Sequence, residues 1–126
     1  MTAVRMRTTI AVALEHLEEF RVLLGEALAE SLSEVADPTN GTQGYAAYLN
    51  EETGQLVLFE HHDSYNALLA HLDTDPARRA RMQKMCTSGG ATEIYGSAPP
   101  ELIELLTNIG VSPVIYPTTL GVMGPL

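Results

Sequence analysis

Glu60, His62 and His71 are the residues of this 126-residue chain whose types and spacing best suit chemistry. They stand in the run GYAAYLNEETGQLVLFEHHDSYNALLAHL, residues 44–72. Side chains alternate across a strand, so Leu56, Leu58, Glu60 and His62 leave one face while Val57, Phe59 and His61 leave the other. A carboxylate and an imidazole therefore share a mostly apolar face, just before a helix that carries His71. Imidazole titrates near neutral pH, and a neighbouring carboxylate fixes its tautomer, so the trio suits removal of a proton from a phenol-like molecule. The commoner alternative makes all three structural groups, with Glu60 bonded to backbone or helix and both histidines satisfied in place.

His61, His62 and His71 also invite a metal-ligand reading. Adjacent histidines on a strand point to opposite faces, no helix carries an H-x-x-x-H spacing, and there is no cysteine pair. No metal ligands and no cofactor are expected. Nor is there a phosphate loop, a nucleotide fingerprint or a nucleophile elbow. Tyr45, Tyr48, Tyr65 and Tyr95 can each donate a hydrogen bond to a quinone oxygen, or bury a ring in the core or an interface. Tyr65, just after a helix start, is the favoured pocket member, and Tyr48 and Phe59 complete the expected substrate contacts.

Elements must hold these groups in place. Residues 4–12 alternate, with Val4, Met6, Thr8, Ile10 and Val12 on one side and Arg5, Arg7, Thr9 and Ala11 on the other, as in a half-buried strand. From Glu15 the period lengthens: Leu14, Leu17, Phe20, Leu24, Leu28, Leu32 and Val35 form the stripe of an amphipathic helix that should face the core. Gly25 interrupts it, and close approach of another element would explain that glycine. Asp37, Pro38, Thr39, Asn40 and Gly41 end the helix. Residues 45–49 and 55–61 read as strands around the polar turn Asn50-Glu51-Glu52-Thr53-Gly54. Asp63 or Ser64 caps the following helix, and Thr74 or Asp75 caps the next, with Pro76 at its first position. That helix, residues 77–86, collects Arg78, Arg79, Arg81 and Lys84, four of the 7 basic residues. They suit a solvated face, or a positive patch beside an acidic or quinone-like ligand. Ser88-Gly89-Gly90 breaks the chain, residues 92–95 form a strand, residues 101–108 a short helix ending at Gly110, and residues 114–116 a short strand.

This order lacks a regular βα alternation and favours α+β: a ferredoxin-like antiparallel sheet with helices on one face. The bare apolar face of such a sheet implies a homodimer. The chain is read as one domain, 1–97, with a C-terminal helix and tail, 98–126, packing on it. Apolar residues at 45% and charged residues at 18% mark a globular chain. A formal charge of −9 argues against nucleic acid or an anionic membrane as partner. No apolar run reaches the ~20 residues that span a bilayer. The N-terminus lacks a signal-peptide core, so a cytoplasmic location is expected. Cys86, the single cysteine, reads as a small buried hydrophobe rather than a reactive thiol.

The run Phe59-Glu60-His61-His62-Asp63-Ser64, followed by Ala67 and Ala70-His71-Leu72, resembles the antibiotic biosynthesis monooxygenase family of dimeric α+β barrels. Its members show a Gly-x-x-x-Tyr strand, matched by Gly44 to Tyr48, then a strand ending in a Glu-x-Trp-like pattern and an acidic-Ser helix start. The likeness spans roughly residues 4–96. Where the family often has tryptophan, this chain has His62, and it contains no tryptophan. Haem-degrading relatives use an asparagine on the first strand and a later histidine; neither is in place here. The resemblance implies a cofactor-independent monooxygenase acting on an aromatic or quinol-like small molecule. The alternative is a non-catalytic ligand-binding or dimerisation module of the same fold.

Overall fold

Val4, Met6 and Val12 are buried and the odd-numbered residues between them are not, and this alternation marks Val4–Ala11 (β1) as a strand with one covered face. The computed structural model describes residues 3–37, 39, 41–87, 90–108 and 111–121. After β1 come a short 3-10 turn, α1 (Leu17–Ala36), β2 (Thr42–Asn50), β3 (Gln55–His62) and α2 (Tyr65–Leu72). Then follow α3 (Pro76–Lys84), β4 (Ala91–Tyr95), α4 (Pro100–Asn108) and β5 (Pro113–Tyr116). The strands form one five-stranded sheet in the order β2-β3-β1-β4-β5. Apart from β5 this is the ferredoxin-like α+β arrangement expected from the sequence.

The expected all-antiparallel sheet gains a parallel edge. β5 pairs with β4 in the same direction, Thr92 opposite Pro113 and Tyr95 opposite Tyr116, because α4 first carries the chain back. The helices cover the face that carries Met6, Leu56 and Ile94. One core cluster joins Val4, Met6 and Ile94 to Leu68 of α2 and to Leu102 and Leu106 of α4. The other joins Val12 and Leu56 to Phe20, Leu23 and Leu24 of α1 and to Met85. Burying such side chains is worth about 1.5–3 kcal/mol each and is what holds helices to sheet. Among the described residues no helix is long and apolar enough to cross a membrane.

The stripe on α1 departs from expectation. Phe20, Leu23 and Leu24 are buried and Leu28 packs against the same cluster, but Leu32 is 72% exposed and Val35 is exposed too. Steps of four, three, four and three residues from Phe20 keep Leu24, Ala27, Ser31 and Glu34 on one side of the helix. Leu32 and Val35 each lie one residue, about 100°, off that line. Gly25 is exposed and a methyl group there would meet nothing within 4 Å, so no close approach accounts for it. The expected breaks at 37–41, 88–90 and 110 lie partly outside the described residues.

Two glycine and bulge details place β2 and β3. Asn50 Oδ1 accepts from the amides of Glu52 and Thr53, and the turn closes at Gly54 with φ 78°. A side chain at Gly54 would run into the Val12 carbonyl, so only glycine fits there. At the other end the register of β2 slips: Thr42 faces His62 and Gly44 faces His61, leaving Gln43 as a bulge. The extra residue reverses the alternation of β2, so Thr42 and Tyr45 face the same side.

Candidate active site

Between the sheet and α1, α2 and α3 lies a partly open cavity of about 550 Å³. Met6, Ile10, Phe20, Leu24, Leu56, Leu58 and Met82 give it apolar walls, and Glu34, Tyr45, Glu60 and His71 form a polar end. Its size is that of a small-molecule site.

Glu60 and His62 leave β3 on the covered face, as the strand period requires, and His71 reaches them from α2. That helix starts at Ser64, whose Oγ accepts from the Ala67 amide at 3.2 Å; Ser64, not Asp63, is the cap. His62 Nε2 lies 3.1 Å from Glu60 Oε1, and His71 Nε2 lies 3.3 Å from the same oxygen. His62 is fully buried and its Nδ1 lies 3.2 Å from Thr42 Oγ1. Because the carboxylate only accepts, His62 donates from Nε2 to Glu60 and accepts the Thr42 hydroxyl at Nδ1. His71 Nδ1 lies 2.8 Å from Glu34 Oε2, and Thr74 donates to the other Glu34 oxygen at 3.3 Å.

The result is a continuous polar run, Thr42–His62–Glu60–His71–Glu34–Thr74. Glu34 holds a proton on Nδ1 of His71, which leaves Nε2 to take or give one beside Glu60. Burial pushes the Glu60 carboxyl up, but the His62 hydrogen bond, the charges that His71 and His62 carry when protonated, and the Arg79 charge outweigh it and hold the group below the ordinary range. Tyr45 stacks obliquely on His71 at 5.4 Å. Burial, then the Glu60 charge, raises its phenol far above the ordinary value, so it stays a donor.

Of the six site residues expected from sequence, Glu60 and His71 line the cavity and His62 backs them. Tyr65 packs against the first core cluster instead. Tyr48 and Phe59 contact each other edge to face at 6.1 Å on the opposite, uncovered side of the sheet. His61 also faces that side, away from His62. The one set of metal-competent ligands found among the described residues is Glu60, His62 and His71, whose ligand atoms all lie within 4.8 Å of one another. Sequence reasoning missed Glu34, Thr42 and Thr74. The spacing from Phe20 to Glu34 would have flagged the first; the bulge that turns Thr42 inward has no sequence signature beyond Gly44. Cys86 also borders the cavity, half-buried, with its Sγ donating to the Met82 carbonyl and its thiol pushed up by burial.

No family model matches the chain, and no curated protein is similar to it at a significant level. Solved structures are similar. MupZ from Pseudomonas fluorescens superposes with a TM-score of 0.74 at 17% identity, over 99% of this chain and 97% of MupZ. Rv0793 from Mycobacterium tuberculosis gives 0.63 at 24% identity, over 78% of this chain and 95% of its own. A candidate antibiotic biosynthesis monooxygenase from Nitrosomonas europaea gives 0.64 at 17% identity, over 78% and 92%. At these identities the likeness is one of fold: the chain has the fold of the antibiotic biosynthesis monooxygenases.

Proposed function

We propose that this protein is a cofactor-independent monooxygenase acting on an aromatic or quinol-like small molecule. The observation that carries the reading is an apolar cavity of about 550 Å³ whose polar end is the Glu60–His71 pair. Buried polar groups with only a structural task need no ring-sized space beside them.

In this mechanism His71 Nε2 removes the acidic proton of the bound substrate. Glu34 fixes the imidazole tautomer, and Glu60, itself held by His62, steadies the imidazolium that forms. The apolar walls exclude water, and the Tyr45 hydroxyl donates to the substrate oxygen that gains charge. The electron-rich anion gives an electron pair to dioxygen, forming a carbon–oxygen bond and a hydroperoxide. Loss of the second proton from that carbon and heterolysis of the O–O bond expel the outer oxygen as water, with protons returned through His71. One oxygen atom ends in a new carbonyl, the other in water, and the substrate supplies all the electrons.

Anthrone, whose enol is an aromatic phenol, serves as a test substrate. Purified protein should accelerate oxygen uptake and place one ¹⁸O from ¹⁸O₂ in the anthraquinone product. Binding of anthrone without any acceleration would overturn the catalytic reading and leave a ligand-binding module.

A further inference from the structure

The proposed chemistry uses one end of the cavity and leaves a cation at its border unassigned. Arg78 and Arg79 both line the cavity. Arg78 is committed: its guanidinium donates to both Glu30 oxygens at 3.0 and 2.6 Å and lies 3.6 Å from Asp75. Arg81 is paired as well, with Glu19 at 3.2 Å. The Arg79 guanidinium, half-buried, has no hydrogen bond or ion pair among the described residues. Its charge nevertheless acts on Glu60 and on Tyr45, so it belongs to the same cavity as the reactive pair.

A guanidinium that bonds directly to no carboxylate among the described residues, set at the edge of an apolar cavity, matches a planar anion through two parallel hydrogen bonds. Glu30, Glu34, Glu60 and Asp75 also border this space, and they disfavour a dianion such as a phosphate monoester. We propose that the substrate is an amphipathic acid, an aromatic body with one carboxylate, and that Arg79 binds that carboxylate while the ring reaches His71. This rests on the proposed function for the placing of the reacting ring, but carboxylate recognition is measured without turnover.

The probes are 6-hydroxy-2-naphthoate, with hydroxyl and carboxylate at opposite ends, and its methyl ester, each titrated by its own fluorescence. Wild-type protein should bind the acid at least tenfold more tightly than the ester. Arg79→Gln should bring the acid down to the ester's affinity and leave the ester within twofold; Arg79→Lys should keep part of the preference. Arg81→Gln, on the same helix, should change neither ligand. Equal affinity of wild-type protein for acid and ester would overturn the proposal, as would a preference that survives Arg79→Gln. A preference lost in Arg79→Gln, in a protein that binds anthrone yet consumes no oxygen with it, would support carboxylate recognition and defeat only the monooxygenase reading.

Discussion

His62 and His71 have ring centres only 5.1 Å apart, yet their surroundings divide the work between them. His62 has no access to the cavity and spends both nitrogens on Thr42 and Glu60. Replacing it with alanine strands a buried hydroxyl, weakens the hold on Glu60 and opens a void, so His62→Ala should cost about 3 kcal/mol, read by denaturant unfolding. His71 borders open space, where water can replace it. His71→Ala should cost about 1 kcal/mol while lowering turnover of anthrone 10²- to 10⁴-fold. The reverse pattern, full activity per folded molecule in His71→Ala, would remove it from the proton transfer. Glu60 adds a pH signature. Its folded carboxyl titrates below the ordinary 4.5, so its stabilising contribution is complete above that pH. It drains as pH falls from 4.5 toward the lower folded value. Melting curves across that acid range should therefore fall more steeply for the wild-type protein than for Glu60→Gln, which has no proton to gain there.

At the scale of elements, α1 both builds the core and presents Glu34. Its exposed Gly25 does neither, so Gly25→Ala should stabilise the protein by about 0.5–1 kcal/mol through helix propensity alone. Thermal unfolding measures that gain, and a loss instead would mean that the glycine meets something outside the described residues. Helix α3 is tied to α1 by Arg78–Glu30 and Arg81–Glu19 and starts at Asp75, whose side chain accepts the Arg78 amide at 3.0 Å. That cap sits at φ 45°, a left-handed conformation that aspartate, like asparagine, enters more readily than most residues other than glycine. Much of this was legible in advance, because strand alternation, turn glycines, caps and prolines act over a few residues. The sharing of one face by Glu60 and His62 follows from period 2 alone. The joining of Glu34 to His71 does not, since residues 37 apart in the chain meet only once two helices have packed. Thr42 stayed hidden for a related reason: one bulged residue reverses the parity on which face assignments depend. Tyr48 and Phe59 carried the residue types of a pocket, and only the strand's choice of covered face decides against the cavity.

The whole molecule leaves that second sheet face open. Tyr48, Phe59, Val114 and Tyr116 stand on it, between 42% and 63% exposed, and Tyr95 stacks on Tyr116 at 5.6 Å. Arg7 and Glu93 pair at 2.8 Å among them, which lowers the cost of covering either charge. Large exposed apolar side chains on β2 and β3 and again on β5, on either side of Arg5 and Arg7 of the central β1, make a face of the kind that soluble monomers rarely keep wet. All four helices pack on the other side, so nothing among the described residues covers it. A second copy placed face to face would bury the aromatic rings. The protein should therefore be a homodimer at micromolar concentration, read by light scattering. Phe59→Glu should shift it to monomer by placing like charges inside that contact, whereas Leu32→Glu, on the exposed side of α1, should leave the dimer intact. The monomer should keep its fold, because Phe59 belongs to neither core cluster. A wild-type protein that scatters as a monomer at those concentrations would mean that the open face serves some other contact.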